Sequence, residues 1–190
     1  RTKDEKLYSV GATGLQGINL RTAKSAFYPF DQPQKSPGLG IYTHYVYEGA
    51  GKTLWIFGFE GLIRAGAKPD GFQFSYFKNN PDAPNTLSNN SVLCVLDDPL
   101  DPARFLWVGT KGGLNRLDKQ TGDFKHYKTA QGLPDDVVYG ILPDGNGHIW
   151  LSTNKGLCRF HVREETAKNF TVADGLQNNE RSEEHTLNSS

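Results

Sequence analysis

Methionine is absent from this chain of 190 residues, and cysteine nearly so: only Cys94 and Cys158 occur. Two cysteines so far apart exclude a disulfide framework and a metal-binding knuckle, and both are expected to be small buried core residues. An excess of charge is missing too. Lysine plus arginine number 21, aspartate plus glutamate 21, and the formal net charge is zero. That excludes the basic surplus of a dedicated nucleic-acid binder, so no nucleic-acid contact is expected. No apolar run approaches the ~18 residues of a membrane span. No secretory leader is expected within these residues, because Arg1 begins the polar run "RTKDEK". The missing initiating methionine points to a piece cut from a longer chain and so does not argue for the cytoplasm. What is abundant is punctuation. With 21 glycines, 10 prolines and 12% aromatic residues, the composition is that of an all-β protein with many short strands.

The glycines are not scattered at random. Counting from Trp107, the sixth residue on is Gly113, followed by Leu114, and Arg116 stands at the ninth. Trp150 has Gly156, Leu157 and Arg159 at the same offsets, and Trp55 has Gly61, Leu62 and Arg64. Tyr8 begins a fourth copy with Gly14 and Leu15, although Gly17 takes the place of the arginine. The anchors Tyr8, Trp55, Trp107 and Trp150 lie 47, 52 and 43 residues apart. Aromatic residues cluster after each anchor. Before the last three comes a β-rich run ("GIYTHYVYEG", "SVLCVLDD", "VVYGILPDG"), itself introduced by "SPGL", "NTLSNN" or "GLPDD".

One unit therefore holds four short strands, A to D, typified by "VVYGIL", "IWLST", "GLCRF" and "AKNFTV". Their Val, Ile, Tyr, Phe and Trp content, broken by Gly, Asn, Asp and Pro, is that of strands. Four strands in each of several repeats describe the blades of a β-propeller. The fold expected is all-β, a β-propeller fragment of about four blades of four antiparallel strands. The blades run over residues 1–31 (partial), 38–78, 87–129 and 132–173, and the next begins at 174–180. Strand A, flanked by neighbouring blades, is expected to be apolar on both faces. The anchor tryptophan is expected to pack between adjacent sheets, stabilising them by about 2–3 kcal/mol. The glycine at plus six is expected at a B–C hairpin position that needs positive φ. Four blades that cannot close leave an open arc with exposed faces and edges, poorly soluble alone.

Two blades carry a family resemblance. Gly132-Leu133-Pro134-Asp135-Asp136-Val137, Ile141, Asp144, Gly147, Ile149-Trp150, Ser152-Thr153 and Gly156-Leu157-Cys158-Arg159 resemble the two-component regulator propeller repeat. The preceding blade is similar through Leu87-Ser88-Asn89-Asn90-Ser91-Val92, Leu106-Trp107, Gly109-Thr110 and Gly113-Leu114-Asn115-Arg116. The resemblance covers residues 7–180 and is strongest over 87–180. Its implications are an extracytoplasmic, periplasmic sensor of a bacterial signalling protein, an immunoglobulin-like module, a membrane helix and an output domain. That output is a sensor histidine kinase or, less commonly, a diguanylate cyclase. The implied ligand is a small molecule or glycan fragment, and the full receptor is expected to dimerise. The chain itself is expected to be no enzyme and to need no cofactor or metal. A passive protein-interaction scaffold and a propeller glycosidase or lyase are the alternatives. The tail "RSEEHTLNSS" at 181–190 departs from the pattern and resembles a translated sequencing adapter; little in it can be buried, and disorder is expected.

Several short motifs imitate chemistry. "GAGKT" at Gly49–Thr53 lacks the earlier glycine of a phosphate loop and precedes a strand, so it is read as an A–B hairpin turn. "DGNGH" at Asp144–His148 lacks the further acids of a calcium loop and is likewise read as a turn. The five histidines show no paired zinc spacing. The sequons "NNS" and "NFT" would be unused in a bacterial protein. Arg64, Arg116 and Arg159, repeating at one place in strand C, point to a hydrogen bond or ion pair within each blade; a ring of cations is the functional alternative. Ligand is expected over the channel mouth, where B–C turns (Ala12-Thr13, Phe59-Glu60, Lys111-Gly112, Asn154-Lys155) meet D–A loops (Asn89-Asn90, Pro134 to Asp136, Gln177 to Asn179). The candidate contacts are Glu60, Asn90, Lys111, Asp135, Asp136, Asn154 and Lys155.

Overall fold

The structure, a computed structural model, describes residues 6–11, 13–31 and 45–177. Ala12, the segment 32–44, Asn178, Asn179 and the tail 181–190 lie outside the described residues, as do the readings made for them. The described chain forms four antiparallel sheets of consecutive strands. The first holds β1 (Lys6–Gly11), β2 (Gly14–Asn19) and β3 (Ser25–Pro29). β4 (Tyr45–Glu48), β5 (Leu54–Gly58), β6 (Gly61–Lys68) and β7 (Gly71–Phe77) make the second. The third is β8 (Val92–Asp97), β9 (Phe105–Thr110), β10 (Gly113–Asp118) and β11 (Phe124–Tyr127). In the fourth, β12 (Val138–Pro143), β13 (His148–Thr153), β14 (Gly156–His161) and β15 (Thr166–Phe170) follow in order. This is the all-β propeller architecture, with strands A to D in chain order.

Three apolar cores hold the sheets together, one at each successive interface. Leu15 and Phe30 meet Ile56, Ile63 and Phe74 between the first two sheets. Trp55, Phe57 and Leu62 meet Val92, Val95, Leu106 and Phe124 between the second and third. Trp107, Leu114 and Tyr127 meet Val138, Ile141, Leu151 and Phe160 between the third and fourth. Among the described residues no such core joins the fourth sheet to the first, and the assembly is an open arc. Strand A has two apolar faces, as expected: Val92 and Val95 of β8 turn to the second sheet, while Cys94 and Leu96 pack toward the fourth. β12, which no following sheet covers among the described residues, leaves Leu142 69% exposed.

The anchors occupy the sheet interfaces. Trp55 and Trp107 are fully buried, whereas Trp150, with no following sheet among the described residues, is only partly so. Each stacks obliquely on an aromatic from strand D: Phe77 on Trp55 at 6.2 Å, Tyr127 on Trp107 at 5.5 Å, and Phe170 on Trp150 at 5.3 Å. Trp107 donates its indole N–H to Asp98 Oδ2 at 2.9 Å, and that buried carboxylate also accepts the backbone N–H groups of Leu100 and Asp101. Gly49 stands at the equivalent place in the second sheet, and the buried Trp55 N–H has no acceptor there.

The repeated glycine has two reasons. Gly61, Gly113 and Gly156 have φ of +104°, +128° and +110°, as the hairpin reading expects. Gly14 has no positive φ. What all four share is a close approach. A Cβ on Gly14, Gly61, Gly113 or Gly156 would come within 3.0 Å of the backbone carbonyl of Tyr28, Phe77, Tyr127 or Phe170. The glycine thus lets strand D lie tight against strand C in every sheet. The neighbouring threonines lock the turn. Thr110 and Thr153 each donate to the carbonyl of their hairpin glycine at 2.9 Å.

The cysteines are free, and burial pushes both thiols up to about 12. Cys158 is wholly buried; Cys94 is partly exposed, its Sγ 3.7 Å from the Val138 carbonyl. "GAGKT" is the A–B connection, a 3-10 turn over Ala50–Lys52 closed by Gly49 N–H to the Thr53 carbonyl, with strand β5 directly after it. Among the described residues no helix is long and apolar enough to cross a membrane.

Candidate functional site

B–C turns and D–A loops do gather at one end of the sheets. The Gly61 N–H donates to the Asn90 carbonyl at 2.8 Å, and the Lys111 N–H to the Ser91 carbonyl at 3.1 Å. Lys155 Nζ lies 3.7 Å from Asp135 Oδ2. The D–A loops are built by their own side chains. Asn89 Oδ1 accepts from Ser91 N at 2.8 Å, and Asp135 Oδ1 from Val137 N at 2.8 Å, the same Asx turn in successive blades. Asn90 Oδ1 accepts from Asn79 N, and Asp136 Oδ1 from Thr129 N, both at 2.7 Å. Three of the candidates, Asn90, Asp135 and Asp136, therefore spend an oxygen on shaping the loop.

The B–C tips are more open. Glu60 faces Lys78 at 3.7 Å, and the exposed Lys155 and half-buried Asn154 cap the fourth sheet. Lys111 reaches over the ring of Phe59, 5.6 Å from its centroid. Phe59 is 51% exposed, an unusual position for so large an apolar side chain. An exposed aromatic with an ammonium over it can stack on the apolar face of a ring while offering charge or hydrogen bonds beside it. Sequence reasoning placed Phe59 in the turn but not among the candidate contacts. Its isolation in a glycine-flanked turn, away from any strand period, is the signal that could have found it.

The repeated arginines correct an expectation. They do not all pair within their own blade. Arg64 donates to the Lys119 carbonyl of the third sheet at 3.3 Å, and Arg116 pairs with Glu165 of the fourth at 3.3 Å while lying 4.6 Å from the Phe105 ring centroid. Glu165 holds Lys125 as well and has φ of +56°, at the C–D turn position that Gly122 fills in the preceding sheet. The reason is geometric: strand C edges toward the next sheet, whose C–D turn supplies the acceptor. Arg159, with no following sheet among the described residues, folds back on Asp144 at 2.9 Å. Asp144 also accepts from the N–H groups of Asn146 and His148. Burial pushes the Asp144 carboxyl up, but the bonds from Asn146, Arg159 and His148 outweigh it and hold it down at about 2. "DGNGH" is thus a turn closed on an arginine. No group of three potential metal ligands occurs among the described residues.

One segment of this arrangement matches a known repeat. Residues 132–155, which run from the D–A loop through β12, β13 and the B–C tip, match the family described as Two component regulator propeller. Residues 132–155 carry the two-component regulator propeller repeat. Solved structures share the fold. One is the extracellular domain of BT3049 from B. thetaiotaomicron, described as a hybrid two component system, with TM-score 0.69 and 23% identity over 90% of this chain. The extracellular domain of BT4673 from the same organism aligns with TM-score 0.67 and 21% identity over 94% of this chain. PorZ, a surface component of the type-IX secretion system of Porphyromonas gingivalis, aligns with TM-score 0.69 and 13% identity over 94%. Virginiamycin B lyase from Staphylococcus aureus follows with TM-score 0.57 and 15% identity over 90%. This chain spans 24%, 23% and 27% of the first three and 57% of the lyase. A search of curated proteins finds no match.

Proposed function

We propose that this chain is part of the extracytoplasmic ligand-sensing propeller of a bacterial two-component regulator, and that its ligand is a glycan fragment. The regulator repeat at 132–155 and the shared fold with extracellular domains of such systems support the sensor reading. One observation carries the choice of ligand: at the end where B–C turns and D–A loops meet, Phe59 is exposed beneath Lys111. A sugar ring would stack its C–H face on Phe59 and hydrogen-bond to Lys111 and Glu60. Binding there biases the dimer geometry of the parent receptor, and so its kinase output across the membrane.

The test is a glycan-binding screen of the chain, followed by titration of any hit against Phe59→Ala and Lys111→Gln. Stacking and cation loss should each weaken binding by ~1–2 kcal/mol. Absence of any glycan hit, or affinities unchanged in both variants, refutes the reading. Release of cleaved product during the same incubations would instead establish an enzyme.

A further inference from the structure

The second sheet departs from the repeat at the end of strand B. Two and four residues after the anchor, the third sheet places Gly109 and Lys111 and the fourth Ser152 and Asn154, but the second places Phe57 and Phe59. Register gives each of the first-named residues a neighbour on strand A. Gly109 faces Cys94 and Ser152 faces Gly140, whereas Phe57 faces Tyr45. Two large rings therefore stand where the later sheets pair small residues.

Those rings are stacked, with centroids 5.5 Å apart and planes 24° from parallel. Phe57 is buried in the core between the second and third sheets, which fixes the ring beneath. Tyr45 is 47% exposed: one of its faces rests on Phe57, and the other is open among the described residues. Pairing with Phe57, just before the B–C turn, sets Tyr45 at the loop end of the sheet. It lies over the same interface at which Lys111 of the third sheet reaches Phe59 of the second. The later A strands pack on A or B strands of the sheet before, β8 on β5 and β12 on β8, so strand A marks the inner side of the arc. Tyr45 is thus inward of Phe59 at one mouth. Their Cα atoms lie within about 12 Å, one cross-strand step and two residues of chain.

We propose that Tyr45 is a second subsite of the glycan site, and that the ligand is an oligosaccharide of at least two linked rings rather than a single sugar. This rests on the glycan reading of Phe59 and Lys111. A ring already held by a buried neighbour offers its free face with little rotamer freedom left to lose on binding. Two such faces, on different strands, suit successive rings of one chain, with the Lys111 ammonium beside the outer ring.

The experiment titrates the 190-residue chain with matched mono-, di- and tetrasaccharides of glucose, mannose, xylose and galacturonate, followed by NMR. In at least one series the di- or tetrasaccharide should bind at least fivefold more tightly than its monosaccharide. Tyr45→Ala should weaken that longer ligand by about fivefold and leave the monosaccharide unchanged. Tyr45→Phe, which keeps the face, should bind as the parent chain does. Phe59→Ala should weaken both lengths. Binding that needs Phe59 but shows no length dependence, or a longer ligand held as tightly by Tyr45→Ala as by the parent, overturns the second subsite alone. So does a loss in Tyr45→Phe equal to that in Tyr45→Ala. If no member of any series binds, or if Phe59→Ala changes nothing, the glycan reading fails and the subsite with it.

Discussion

Trp107 and Trp150 occupy the same place in successive blades, yet among the described residues only Trp107 is covered by a following sheet. Truncating each to alanine should separate what that cover contributes. Trp107 is fully buried against Tyr127 and Phe160 and donates to Asp98. Its loss opens a cavity and leaves a buried carboxylate short of one donor. The cost expected is ~4–5 kcal/mol, from the large-to-small range for tryptophan with an orphaned polar partner. Trp150 is partly exposed, and Phe170 is its single aromatic partner among the described residues. Only part of its surface is removed from water, and no cavity closes over the gap. Its truncation should cost ~1–2 kcal/mol. Urea unfolding of both variants beside the parent chain, followed by near-UV circular dichroism, reads the difference as a shift in midpoint at constant slope. Equal destabilisation by the two substitutions would refute the argument. It would mean that the covering sheet contributes nothing to the anchor.

Two further outcomes follow from the same geometry. Gly113→Ala combines φ of +128° with a Cβ placed 2.8 Å from the Tyr127 carbonyl, and should destabilise by ~2–4 kcal/mol in the same unfolding assay. Asp144 has its carboxyl held down at about 2, so its stabilising contribution is present above the ordinary carboxylate range and is lost as pH falls from about 4 toward 2. Asp144→Asn should therefore flatten acid unfolding in that window, and an unaltered acid profile would contradict the role given to Arg159.

The repeat made most of the fold legible. Period-2 strands, the anchors and the turn residues agree with each other, and the structure places β5, β9 and β13 on them. "GAGKT" and "DGNGH" were readable as turns because a strand follows each where phosphate or calcium chemistry would demand other neighbours. The arginine partners were not readable. Arg64 reaches a backbone carbonyl, which no side-chain pattern announces, and Arg116 reaches Glu165, an acid whose counterparts in other sheets differ. Gly14 shows a similar limit: its reason is the nearness of a carbonyl from strand D, a tertiary distance. Of the candidate site, the loop tips could be located but not ranked, because Asn90, Asp135 and Asp136 look like ligand groups until their loop hydrogen bonds are seen. The departures Tyr8 and Gly17 read as a weak match to the repeat; only their register shows them to be cross-strand partners.

The forward reach of Arg64 and Arg116 gives the arc a direction. Trp55 and Trp107 are each covered by the sheet that follows them in the chain, so during translation each stays unsealed until the next blade has emerged. Chain loss is then unequal in kind. Removing the fourth sheet would uncover Trp107 and strip Arg116 of Glu165, whereas removing the first would uncover aliphatic and phenyl surface and leave both arginine contacts intact. In a stack coupled only through neighbours, a break from the late end propagates through the anchors, and one from the early end does not.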